Sequence, residues 1–248
     1  MKEYRILIDA SGPGGSKIPP KKTWDVSGGY IAYRESGGRL VEAKGLYRIE
    51  KVTEEHMRDL QMAIKPYSVI RVKANRVGAF FIHELLEADA EPLEDEEAYF
   101  KQYKTPVVFN DEQYGKFVLN RQFGGFEGSV NYKDETISVI LCGQEDIKTL
   151  DFICKDLDKF IKEASLFAAQ KLLELGNQWQ EEDEIESSVP LTKEDFAGRI
   201  SLNEISIDDD LDGGRYCLWF NDDGIFWGHS VTVIGSIKSG FEDANMEG

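Results

Sequence analysis

Cysteine, histidine and long apolar runs are scarce in this 248-residue sequence, and each scarcity removes a class of explanation. Its three cysteines, Cys142, Cys154 and Cys217, are odd in number, widely spaced and in no CxxC pair. Neither a disulfide framework nor a structural zinc site is expected, and they read as buried thiols. The histidines are His56, His83 and His229, none in a recognised nucleophile or metal-ligand motif. Only these three could serve as the usual base of nucleophilic catalysis, and no enzyme class finds support in their surroundings. The opening residues offer only Ile6, Leu7 and Ile8 in succession, too short for a signal-peptide core, and no later stretch approaches a membrane span. A cytoplasmic location is the expectation.

What the chain has in excess is acid. The formal net charge is -17 at pH 7, and it is unevenly spread. Residues 1–80 carry 15 Lys+Arg against 9 Asp+Glu, a balance of +6, whereas residues 81–248 carry 14 against 37, a balance of -23. Such a surface repels phosphate backbones and anionic lipid, so no nucleic acid and no membrane are expected as partners, and only the N-terminal part could meet either. A basic protein is the partner that this charge favours. With 41% apolar and 30% charged residues the chain has the composition of a folded protein.

Local patterns divide it in two. "TWDVSGGYIAYRE", "LVEAKGLYRIEKV" and "YSVIRVKANRVGAFFIHELLE" are rich in Val, Ile, Tyr and Phe and broken by glycine pairs, which predicts antiparallel strands. Between the second and third, Thr53 caps one short helix with Met57, Leu60 and Ile64 on one face and Pro66 after its end. The carboxylate-rich "EADAEPLEDEEAYFKQYKTP" then interrupts the strands and marks a boundary, giving a β-rich N-terminal domain at 1–104 and an α+β domain at 105–248. In the latter, Phe117 and Leu119, then Ile137, Val139 and Leu141, alternate as half-buried strands about the turn "KDE". Leu150, Ile153, Leu157, Phe160, Ala164, Phe167, Lys171 and Leu175 step by three or four, as one bent helix or two joined near Glu163 to Ser165. Thr192 and Asp195 form a variant capping box before Phe196 and Ile200. The expected fold class is α+β, an antiparallel sheet with helices packed on one face, preceded by the small β-rich domain.

Three stretches invite chemistry. "NDDGIFWGHS" reads as a hairpin with the loop "NDDG"; if Phe220 pairs with Ile225, Leu218 faces Trp227 and Tyr216 faces His229. Ile225, Trp227, His229, Val231 and Val233 then share one face, and the aspartates at the tip lie beyond hydrogen-bond reach of the imidazole. Tyr216, Trp227 and His229 are the candidate binding residues. A bulge of one residue would move His229 to the other face. "DDDLDGG" sets Asp208, Asp210, Asp212 and Gly213 at the first, third, fifth and sixth positions of a calcium loop, yet position twelve falls on Trp219 and the flanks read as strands, so a solvated acidic loop stands beside a weak Ca2+ site. "SGPGGSK" lacks the spacing of a phosphate loop and is followed by Pro19 and Pro20, so it reads as a turn.

The C-terminal pieces together, "GKFVLNRQFGGFEGSV", a long helix ending "LLELGNQW", "LTKEDFAGRISLNEISI" and "FNDDGIFWGHSVTV", resemble the bacterial domain of unknown function 2262 family over residues 114–248, with "FWGHS" the most distinctive motif. The resemblance implies a bacterial cytoplasmic protein with Trp179, Phe226, Trp227, Gly228 and His229 among its pattern positions. It brings no assigned activity, catalytic residue or cofactor. It is similar also to small domains found near toxin and immunity genes. The functional expectation is a non-enzymatic protein-interaction module with an acidic surface, toxin neutralisation being one form of it. The alternatives are a small-molecule or calcium-binding protein, or an enzyme using His229 as base.

Overall fold

The computed structural model describes residues 1–182, 189–208 and 214–248, and these form two compact units, Met1–Thr105 and Pro106–Gly248. In the first unit the strands are β1 (Lys2–Ile8), β2 (Gly14–Ser16), β3 (Trp24–Glu35), β4 (Val41–Val52), β5 (Val69–Val77) and β6 (Ala79–Ala90), with helices α1 (Glu54–Ala63) and α2 (Glu94–Lys104). They are ordered β1-β5-β6-β4-β3-β2, and β1 pairs with β3 as well as with β5. That second pairing closes a five-stranded barrel, a connectivity shared with OB-fold barrels. Closure leaves β1 no free edge, the usual point of strand-to-strand aggregation.

Strand alternation fills the barrel. Tyr4, Ile6, Val26, Tyr30, Tyr47, Ile70, Val72 and Phe80 point into one core. Two glycines make room for the rings: a Cβ at Gly28 would lie 2.5 Å from the Tyr47 hydroxyl, and one at Gly45 would lie 2.6 Å from that of Tyr30. α1 closes the core with Met57, Leu60 and Ile64, and Thr53 caps it as expected, its hydroxyl accepting from the His56 amide. α2 was not expected. The run read as a boundary folds into an amphipathic helix whose Phe100, with Tyr99 and Tyr103, packs outside the barrel on Leu7, Ile31 and Val69.

The second unit contains β7 (Val108–Asp111), β8 (Gly115–Asn120), β9 (Gly125–Tyr132), β10 (Glu135–Leu141), β11 (Ser201–Asp208), β12 (Arg215–Asn221), β13 (Ser230–Ser236) and β14 (Gly240–Glu247), with helices α3 (Ile147–Cys154), α4 (Leu157–Glu182) and α5 (Lys193–Arg199). The eight strands follow chain order from β14 to β7. Every pairing is antiparallel except β10 with β11, which run parallel because the three helices carry the chain across between them. The expected sheet is therefore mixed at this one seam. Its apolar face, including Val139, Ile205, Leu218 and Val233, shares a single core with Leu150, Ala164, Ala168 and Phe196 of the helices.

The helical stretch breaks between Cys154 and Leu157, not near Glu163. The reason is a cap: the Asp156 carboxylate accepts from the Lys159 amide at 3.2 Å and starts α4 afresh. Lys171, the one polar member of the seam, reaches Asp243 on β14 at 3.9 Å. All three cysteines are free, but Cys142 is exposed and Cys154 and Cys217 only half-buried, against the expectation of buried thiols. No described helix is long and apolar enough to cross a membrane.

Candidate functional site

The hairpin register expected around "NDDG" is wrong by several residues. β12 and β13 pair Asn221 with Ser230 and Phe220 with Val231, so the connection is the whole of residues 222–229, and Tyr216 faces Gly235. Ile225, Trp227 and His229 consequently share no strand face. Ile225 and Phe226 are fully buried, Trp227 is 55% exposed and His229 is half-buried.

An aspartate organises this loop. Asp222, 4% exposed, accepts from the amides of Gly224 at 3.1 Å, Phe226 at 2.6 Å and Gly228 at 3.2 Å. Its side chain thus supplies the partner that a strand would have given those amides. The chain meanwhile turns through two left-handed pairs, Asp223 (φ 47°) with Gly224 and Trp227 (φ 58°) with Gly228. Arg199, at the end of α5, fixes the tip by donating to the Asp223 carboxylate at 3.0 Å and to its carbonyl at 2.6 Å.

α4 delivers the other half. At Gly176 a Cβ would lie 3.0 Å from Ile225 and 3.2 Å from Phe196, so the helix backbone runs close against the loop and α5. One residue on, Asn177 accepts from the Leu191 amide at 2.7 Å and donates to its carbonyl at 3.2 Å, copying a strand pairing. Thr192 then begins α5, its hydroxyl accepting from the Asp195 amide as the capping box requires. Trp179 completes the site: its ring centroid lies 4.8 Å from that of Trp227, 5.4 Å from His229 and 5.8 Å from Phe226.

The result is an aromatic surface of Trp179, Trp227 and His229 on a rigid base. Of the candidate binding residues, Trp227 and His229 meet here. Tyr216 does not: it is 1% exposed in the sheet core, its hydroxyl has no hydrogen-bond partner among the described residues, and burial with nearby Glu242 pushes its phenol up to about 12. The carboxylate of Asp222 accepts from loop amides, and no hydrogen bond from it to the His229 imidazole is seen among the described residues. Asp208 ends β11 opposite Arg215, while Asp210, Asp212 and Gly213 lie outside the described residues. Among the described residues no group of three His, Cys, Asp or Glu is placed to hold a metal. No sequence pattern marks Gly176 or Asn177, and Asp222 reads in the sequence only as one of two aspartates at a hairpin tip. The aspartate's nearness to two glycines was the available signal.

Fold and site together define an α+β protein that displays a preformed aromatic patch. Residues 111–246 match DUF2262, described as an uncharacterized protein conserved in bacteria, and residues 1–93 match DUF7021, a domain of unknown function. The first match spans more than half of the sequence, and the chain belongs to the DUF2262 family. A comparison with curated proteins found no match.

Proposed function

We propose that this protein is a non-enzymatic interaction module of the bacterial cytoplasm, in which the second unit receives a basic partner protein and Trp227 is the anchor. The exposure of Trp227 in a left-handed backbone carries the reading. A bulky side chain at positive φ costs about 1–3 kcal/mol and persists where the surroundings impose it, as Asp222 does here. Tryptophan on a rigid loop is the residue type that most often dominates binding energy at protein interfaces. Charge supports the choice of partner: residues 1–105 hold 17 Lys+Arg and 17 Asp+Glu, so the excess of 29 acids over 12 bases lies wholly in residues 106–248.

The test is affinity capture on the immobilised chain, with the Trp227→Ala chain as control and with rising salt. A basic protein retained by the parent at low salt, lost on Trp227→Ala and weakened tenfold or more as salt rises supports the reading. Equal capture by both chains, or binding indifferent to salt, overturns it.

A further inference from the structure

We propose that the basic partner, on whose existence this inference rests, is held by adding an extended strand to the free edge of β14. This strand ends the eight-stranded sheet and pairs only with β13 among the described residues. Past a bulge at its start, residues 243–247 keep unbroken register with β13, and the backbone groups on their other side meet no described strand. Such an edge is a template for another strand, and proteins usually shorten, bend or cover it. The strands that end the sheets elsewhere are short, three residues in β2 and four in β7, whereas β14 has eight and no proline.

Charge sets the polarity of what can be added. β14 carries Glu242, Asp243 and Glu247, all exposed, and no Lys or Arg. Lys171 reaches Asp243 at 3.9 Å and Lys238 stands in the preceding turn, but Glu242 and Glu247 form no ion pair among the described residues. Acids along one edge repel a second copy of the same strand and favour lysine or arginine in an added one. The helix-covered side of the sheet sets the rest of the pattern. Phe241 and Met246 are half-buried there against the core, so apolar residues at alternate positions of an added strand would continue that layer.

The edge also leads to the aromatic surface. Glu247 pairs with Ser230, the neighbour of His229, and a Cβ on Gly248 would strike the His229 ring. A segment paired along 243–247 therefore runs toward the surface that Trp227 and His229 present. Main-chain pairing would supply affinity and the alternating side chains selectivity.

Hydrogen exchange of the full chain tests the assignment with an end-capped eight-residue peptide alternating lysine and valine. A lysine–proline peptide of equal charge, which cannot build a strand ladder, and a glutamate–valine peptide are the controls. The lysine–valine peptide should bind saturably and slow exchange at alternate amides of 243–247, and both controls should leave those amides unchanged. Glu242→Lys combined with Glu247→Lys, exposed changes that keep the unfolding transition in place, should weaken its binding about tenfold or more. The slowing should persist in Trp227→Ala, because the pairing does not use the indole, so this proposal and the Trp227 anchor fail separately. No slowing at 243–247, equal binding of the lysine–proline peptide, binding indifferent to the two charge reversals, or loss of the slowing in Trp227→Ala would each overturn the proposal. So would slowing that grows with chain concentration alone, which marks a second copy on this edge.

Discussion

The carboxylate of Asp222 holds the amides on either side of Trp227, those of Phe226 and Gly228, with one oxygen at 2.6 and 3.2 Å. The indole is therefore displayed by a bond pattern that leaves its own backbone no freedom to relax. Replacing Asp222 with Ala removes three accepted hydrogen bonds at a buried position and orphans their donors. Each orphaned group costs roughly 1–3 kcal/mol, softened where the loop reopens to water. The expected loss is about 3 kcal/mol in denaturant unfolding, with a change in tryptophan emission as Trp227 leaves Trp179. A loss below about 0.5 kcal/mol would mean that the loop holds its shape without the carboxylate.

Trp227 itself should behave as a residue kept for contact with something else. Trp227→Gly relieves a left-handed backbone, worth about 1 kcal/mol, and gives up only a half-exposed packing against Trp179. Stability should stay within about 1 kcal/mol of the parent while partner capture is lost. A drop of several kcal/mol on chemical denaturation would assign the indole to the fold instead.

Glu96 is the buried carboxylate through which the first unit should respond to acid. It is fully buried on α2 and accepts three bonds from Arg5 at 2.9, 3.2 and 2.8 Å, one from Arg34 at 3.3 Å and one from the Leu93 amide at 2.9 Å. Burial alone would raise its pKa, but the Arg5 and Leu93 bonds outweigh it and the net direction is down. A carboxylate depressed in the folded state contributes stability that is complete above its unfolded pKa of about 4.3 and is lost as pH falls through the lower folded value. Thermal unfolding between pH 6 and about pH 2 should show that loss. Glu96→Gln should start some 3–5 kcal/mol lower at neutral pH, because two half-covered guanidiniums lose their partner, and should respond less to acid. A variant as stable as the parent at pH 7 would refute the role of the pair.

These same contacts explain what the sequence shows and hides. The caps at Thr53 and Thr192 and the alternation of Ile137, Val139 and Leu141 are local, so a few residues suffice to see them. α2 escaped because the partners of Glu96 lie 91 and 62 residues away, and without them its acids look like a solvated linker. Barrel closure by β1 and β3, and the parallel seam of β10 and β11, are likewise long-range. The loop at 222–229 misled for a different reason. Side-chain bonds from one aspartate replaced the strand ladder that alternation presumes, and the two most buried residues, Ile225 and Phe226, ended adjacent instead of alternating. Trp179, Trp227, Gly228 and His229 nonetheless lie together in the structure, with Phe226 buried beneath them.

Tyr216 offers a test in the opposite direction. Its hydroxyl is buried and meets no protein partner among the described residues, so the group carries a desolvation cost without a protein bond to offset it. Tyr216→Phe keeps the ring contacts with Phe160 and Phe241 and should hold or raise the melting temperature, with partner capture unchanged. Loss of capture on this change would return Tyr216 to the binding residues.

Asn177 ties the end of α4 to the start of α5, and its two bonds to Leu191 are the only strand-like pairing that a side chain makes in this region of the described structure. Asn177→Ala should cost about 2 kcal/mol, the sum of two half-buried bonds. Asn177→Asp is more informative. It keeps the acceptor for the Leu191 amide but sets a carboxylate against the Leu191 carbonyl, so near neutral pH it should lose at least as much as alanine. Below about pH 4, where the acid can donate, the aspartate variant should recover part of that loss. Since Gly176 and Trp179 flank this residue on the same helix, hydrogen exchange should report the weakened anchoring at the amides of 222–229 as well as at α5. Exchange that rises only in α5 would show that the aromatic surface stands without the clamp.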